Sequence, residues 1–170
     1  MEPIKELEGK KVAIIGLGAS QIDYVIGKEN SVDRVFMLDP ASRFLDTDDA
    51  GNQTDVMRKL LPTFDKPIYT CELDERVPAL VEYPLEEVIK DQRCAYMNTT
   101  VSYALAFAAW NKVGEVDLFG MDFSYKNNLH FAEAGRACLE FWICKMIALG
   151  VKVGVSPRSS LLDQNVPIEE

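Results

Sequence analysis

The run Lys11-Val12-Ala13-Ile14-Ile15 ends abruptly in Gly16-Leu17-Gly18-Ala19-Ser20. A short apolar stretch bounded by glycine reads as a buried strand. The glycines permit a tight turn and a close approach of backbone N–H groups to whatever lies beyond it. Ser20 can then cap a helix reaching about Gly27, with Ile22, Val25 and Ile26 on one face. A strand passing through a glycine turn into a helix is the opening of a βαβ unit, and it restricts the fold more than any other feature here.

The alternation continues along the chain. Residues 34–39 read as a second strand ending in an acid, and residues 40–53 as a long loop rich in turn-forming Asp, Gly, Asn and Thr. A short helix starts at Thr54 and is stopped by Pro62, and residues 67–71 form a third strand. Residues 85–90 read as a helical turn or two, and residues 94–98 as a short strand or an extended entry to the next helix. That helix, residues 99–113, has Val101, Leu105, Ala108 and Ala109 at helical spacing, and Gly114 ends it. A strand over 115–119 leads into a polar loop, and a helix over 134–149 is closed by Gly150. Its Cys138, Phe141, Trp142, Cys144, Met146 and Leu149 read as core, and residues 151–155 form a last strand. This pattern predicts one domain over residues 1–170. Its fold is α/β: a single doubly wound, mostly parallel, Rossmann-like sheet with helices on both faces.

Composition narrows the function classes. The formal net charge of −9 is the opposite of the basic footprint that nucleic acid requires, so no nucleic-acid partner is expected. No apolar run is long enough for a bilayer, and the polar start "MEPIKELEGK" carries no secretory signal, which points to the cytoplasm. The four cysteines lack CxxC spacing and read as reduced thiols rather than a zinc site.

Ligands of doubly wound sheets bind outside the carboxyl ends of the strands. Several polar segments fall there, and each alone has two readings. Gly16, Gly18 and Ser20 form either a plain tight turn or a phosphate-binding helix start. Asp39 stands where a ribose-binding acid would in a dinucleotide-binding unit, although Gln21 replaces the third glycine of that fingerprint. Thr99 or Thr100 is a helix cap, or a cap that also meets a phosphate or base. Gly120-Met121-Asp122-Phe123 follows a buried strand. Asp122 is either a turn former or a carboxylate for a ribose or base, with Phe123 and Tyr125 able to stack on a ring. His130 is the sole histidine, so imidazole acid–base chemistry has to use it. Arg158, beside Ser159 and Ser160, is a solvated side chain or an anion contact.

Taken in order, "GLGAS", "NTTVSYALAFAAW", "LFGMDF", "LHF" and "VKVGVSPRSSLLD" resemble the Rossmann-like group of bacterial family 42 sialyltransferases. Motility-accessory-factor glycosyltransferases and hydroxymethylpterin diphosphokinase-like proteins belong to the same group. The resemblance covers the first twenty-five residues and roughly residues 96–163. It implies that Gly16, Gly18 and Ser20 hold the CMP part of a donor, and that Thr99 and Thr100 meet the nucleotide. It places Gly120, Asp122 and Phe123 at the nucleotide too, with Pro157, Ser159 and Ser160 in the segment after the last strand. It makes His130 the general base on the acceptor hydroxyl, with Tyr125 at the phosphate.

The chain departs from the group at Leu17, where an Asn is usual, and at Ser124, where a Tyr is usual. The segment between Phe123 and His130 is also too short for the lid that the enzymes insert there. The expectation is a metal-independent glycosyltransferase whose ligand is a CMP-type nucleotide or nucleotide sugar and which requires no other cofactor. A second copy of the chain could supply the missing wall as a homo-oligomer. Two alternatives stay open: a non-catalytic nucleotide-binding module, sensor or scavenger, and an NAD(P)-binding Rossmann protein.

Overall fold

The computed structural model describes residues 1–16, 20, 36–37, 40–48, 54–65, 67–123 and 128–162. In chain order the elements are β1 (Lys11–Ile15), β2 (Phe36–Met37), α1 (Ser42–Leu45), α2 (Thr54–Leu60), β3 (Ile68–Thr70), β4 (Leu80–Glu82), α3 (Leu85–Gln92), α4 (Thr100–Trp110), β5 (Glu115–Phe119), α5 (Leu129–Ala148) and β6 (Lys152–Val155). Strand pairings among the described residues are all parallel, as the βαβ alternation requires. They form two three-stranded groups, β1-β5-β6 and β2-β3-β4. The chain divides into two compact units, Met1–Ser31 with Asp91–Glu170, and Val32–Lys90. The helix expected after Ser20 lies outside the described residues.

In the first unit β5 is the middle strand. Ile15 pairs with Phe119, and Leu118 with Val155, so the three strands end at one rim. Val12, Val116 and Leu118 are buried on one face. On the other, Lys11 Nζ pairs with Glu115 Oε1 at 3.1 Å and Asp117 Oδ2 at 2.7 Å. Donating hydrogen bonds to Asp117, then to Glu115, raises the Lys11 pKa.

Helix α4 is buried almost throughout from Ala104 to Trp110, as an apolar helix inside a core must be. Thr99 caps it in a capping box: its Oγ1 accepts from Ser102 N–H at 3.1 Å while Ser102 Oγ accepts from Thr99 N–H at 3.1 Å. The helix stops at Trp110, earlier than expected, because Lys112 takes the left-handed conformation at φ 54°. Gly114 has a different job: a Cβ there would sit 2.7 Å from the Gly9 carbonyl oxygen.

Helix α5 starts five residues before the expected position, because Asn128 Oδ1 accepts from Phe131 N–H at 3.1 Å and caps it. Ala132, Gly135, Cys138, Leu139, Trp142, Ile143 and Met146 form its buried stripe. That phase turns Cys144, Phe141 and Leu149 outward, contrary to the core reading of all three. The Tyr96 carbonyl ties this helix to the segment before α4, accepting from Trp142 Nε1 at 2.6 Å and Cys138 Sγ at 3.4 Å.

In the second unit Ala41, Phe44, Leu61, Ile68 and Val77 form a buried cluster. Its pull explains α1, which interrupts the stretch expected to be loop: Phe44 is 4% exposed. Arg58 ties α2 to α1, donating to the Phe44 carbonyl at 2.8 Å and the Thr47 carbonyl at 2.9 Å. Arg76 joins Asp46 and Asp74, each within 2.6 Å. Strand β4 pairs with β3 between Pro78 and Pro84 and is too short to announce itself by periodicity.

Candidate functional site

The carboxyl rim of β1-β5-β6 collects most of the residues singled out from the sequence. Gly16 N–H donates to the Phe119 carbonyl at 2.7 Å, which lays the exit of β1 against the exit of β5. A Cβ on Gly16 would stand 2.6 Å from the Gly120 carbonyl oxygen, so this crossing needs glycine. Gly120 follows with φ 72°, a conformation that also favours glycine.

Ser20 returns to the same place and is 2% exposed. Its hydroxyl oxygen accepts from Gly120 N–H at 2.9 Å, and its own N–H donates to Asp122 Oδ2 at 2.8 Å. Ser20 is thereby locked to the segment that follows β5. The Ser20 amide, expected to face a phosphate, is already engaged by the Asp122 carboxylate.

The segment after β6 closes the cluster from the other side. Ser159 Oγ donates to the Met121 carbonyl at 2.7 Å and accepts from Leu161 N–H at 3.1 Å. Ser160 Oγ donates to the Asp122 carbonyl. Both hydroxyls fix the backbone on either side of Asp122. Arg158, by contrast, is exposed.

Asp122 is thus held at three points, by Ser20 at one carboxylate oxygen and by the two serines at the backbone. Its other oxygen, Oδ1, is buried and has no hydrogen-bond partner among the described residues. Such an oxygen is costly to leave unpaired, by about 1–3 kcal/mol. Immediately after it Phe123 adopts φ 47°, unusual for a residue with a side chain.

The Phe123 ring lies over Gly135 of α5: a Cβ on that glycine would meet Phe123 Cε1 at 2.8 Å and Thr99 Cγ2 at 3.2 Å. Thr99, Phe123 and Gly135 therefore meet. Asn98 Nδ2 reinforces the junction by donating to the Ala134 carbonyl at 3.2 Å. Thr100 is the next residue, in the first turn of α4.

His130 lies in the first turn of α5 rather than in a loop before it, and it is exposed. It precedes Gly135 by five residues, a rise of roughly 7.5 Å along the helix. Because α5 crosses from the end of β5 to the start of β6, its first turn belongs to the carboxyl rim. The ring is neither plugged into the core nor carried to the opposite edge. Gly18, Asp39 and Tyr125, with Leu17 and Ser124, lie outside the described residues.

Two contributors escaped the sequence reading. Gly135, an isolated glycine inside an apolar helix, was a legible sign of close approach. Arg136 gave no such sign. Its Nη1 donates to the Ser160 carbonyl at 2.8 Å, and its Nε is buried with no partner among the described residues.

No protein-family model and no curated protein matches the chain. Among solved structures it is similar to the sialyltransferase CstII from Campylobacter jejuni in complex with a substrate analogue, CMP-3FNeuAc. The TM-score is 0.52 at 17% identity, over 95% of this chain and 90% of that one. No helix among the described residues is long and apolar enough to cross a membrane. At this identity the likeness shows the fold alone: a distant, sialyltransferase-like α/β architecture with parallel strands.

Proposed function

We propose that the carboxyl rim of β1-β5-β6 binds a CMP-type nucleotide sugar and that the protein transfers the sugar to an acceptor hydroxyl. One observation carries the reading: Asp122 Oδ1, buried and unpartnered among the described residues, on a segment fixed from both sides. A ribose hydroxyl or a base amine supplies the donor it lacks. The similar fold of a sialyltransferase whose structure contains a CMP-sugar analogue supports the choice of nucleotide.

In this proposal Gly16, Gly18, Thr99 and Thr100 meet the nucleotide, while Ser20 holds the Asp122 carboxylate behind it. Tyr125 and Arg158 balance charge on the leaving phosphate. Ser159 and Ser160 act through Asp122 rather than on the ligand. The acceptor oxygen bonds to the anomeric carbon as the bond from that carbon to the phosphate oxygen breaks. CMP departs with the electron pair, and His130 takes the acceptor proton.

His130→Ala should lower transfer by roughly 10²–10⁴-fold while leaving CMP affinity within about twofold. Undiminished transfer would remove His130 from the mechanism. A second reading, a nucleotide-binding module without catalysis, is favoured by the short segment between Phe123 and His130, which leaves no room for a lid to exclude water. A wild-type protein that binds CMP but neither transfers nor hydrolyses CMP-sugar would establish that reading. Parallel titration with NAD separates both from a dinucleotide-binding protein, whose acid would be Asp39.

A further inference from the structure

Arg136 has no role in any reading above, yet it sits two hydrogen bonds from the backbone carbonyl of the residue that carries the orphan carboxylate oxygen. Its Nη1 donates to the Ser160 carbonyl at 2.8 Å, and its Nη2 lies 3.5 Å from Ser160 Oγ. Ser160 Oγ in turn donates to the Asp122 carbonyl, and the Asp122 carboxylate accepts from Ser20 N–H at 2.8 Å. The chain of contacts runs from α5 through the segment after β6, then the segment after β5, to Ser20. These four segments meet at the rim.

The guanidinium has no carboxylate partner among the described residues, and its Nε is buried and unpartnered. A half-buried arginine without an ion pair loses solvation without the usual return. Its grip on Ser160 is therefore what the fold obtains from it. The neighbouring Gly135 packs against the Phe123 ring, so consecutive residues of α5 meet the segment that runs from the Asp122 carbonyl to Phe123.

We propose that Arg136 is a positioning residue: through Ser160 it sets the Asp122 segment, and so the direction in which Oδ1 faces the ligand. The proposal rests on the nucleotide reading for its ligand but not for its geometry. Two measurements therefore separate them.

The first is amide hydrogen exchange on the full chain without ligand. Arg136→Met should speed exchange at Ser20 by about tenfold, the change expected when a local opening loses roughly one net hydrogen bond. Val116 and Leu118 in β5 should keep their protection. Ser160→Ala, which removes the middle link, should do the same, and Arg136→Lys should restore part of the protection through a single donor. Ser20 exchange unchanged in both Arg136→Met and Ser160→Ala overturns the proposal. So does an equal loss of protection across β5, which would mean general destabilisation.

The second is calorimetric titration with CMP. Both variants should bind about tenfold more weakly than wild type, and the double variant no worse than either alone, because the two residues lie on one path. If wild type binds no CMP while the exchange result holds, the nucleotide reading fails and the positioning role of Arg136 stands.

Discussion

Asp122 has two oxygens in different circumstances, one bonded to Ser20 N–H and one buried without a partner among the described residues. Asp122→Asn keeps an acceptor for Ser20 but replaces the orphan acceptor with a donor. CMP affinity measured by calorimetry should fall about 10- to 100-fold, the range of a charge-assisted hydrogen bond at roughly 1.5–3 kcal/mol, with the melting temperature little changed. Asp74 in the other unit offers a pH test. The Arg76 side chain, then the Arg76 backbone N–H, holds its carboxyl down to about 2. Its contribution to stability is full above the unfolded value, near 4, and is lost as pH falls from there through about 2. Arg76→Gln should raise the Asp74 midpoint, followed by carboxylate carbon NMR, towards the ordinary value near 4 but short of it, because the backbone N–H of residue 76 still donates to the carboxylate. Asp122 was legible in the sequence because an acid two residues past the glycine that ends a buried strand falls at the carboxyl edge of a parallel sheet. The sequence could not tell that Ser159 and Ser160 would bond to backbone rather than ligand, since a hydroxyl's partner is set by tertiary approach.

Among the elements, β1 was legible because its run is mostly apolar and ends in glycine, and its limits match the sequence reading, although only Val12 of it is buried. The start of α5 was not, because its cap is an Asn inside a polar stretch, where turn and cap use the same chemistry. Strand β4 has three residues, too few for any period to register. Helix α1 formed in a stretch of turn residues because Phe44 and Ala41 have a core to enter. At the rim the meeting of β1 and β5 depends on the missing side chain of Gly16. Gly16→Ala must displace the Gly120 backbone, since the new Cβ would lie 2.6 Å from that carbonyl oxygen. It should cost about 1–3 kcal/mol in urea unfolding and weaken CMP binding as well.

At the scale of the whole molecule, the parallel α/β alternation carries over to the fold, and the chain is similar over 95% of its length to a sialyltransferase structure. The two compact units each carry a parallel three-stranded group, and the residues of the rim described above belong to the unit formed by Met1–Ser31 and Asp91–Glu170. A ligand that binds only the folded protein must raise its apparent stability, by about 2.7 kcal/mol at a hundred times the dissociation constant. CMP should therefore raise the melting temperature, and NAD should not. The most direct measurement is a titration of the ¹⁵N-labelled chain with CMP, followed amide by amide. A nucleotide-binding rim predicts saturable shifts at Gly16, Ser20, Gly120 and Asp122. Shifts confined to Val32–Lys90, or none at millimolar CMP, would contradict it.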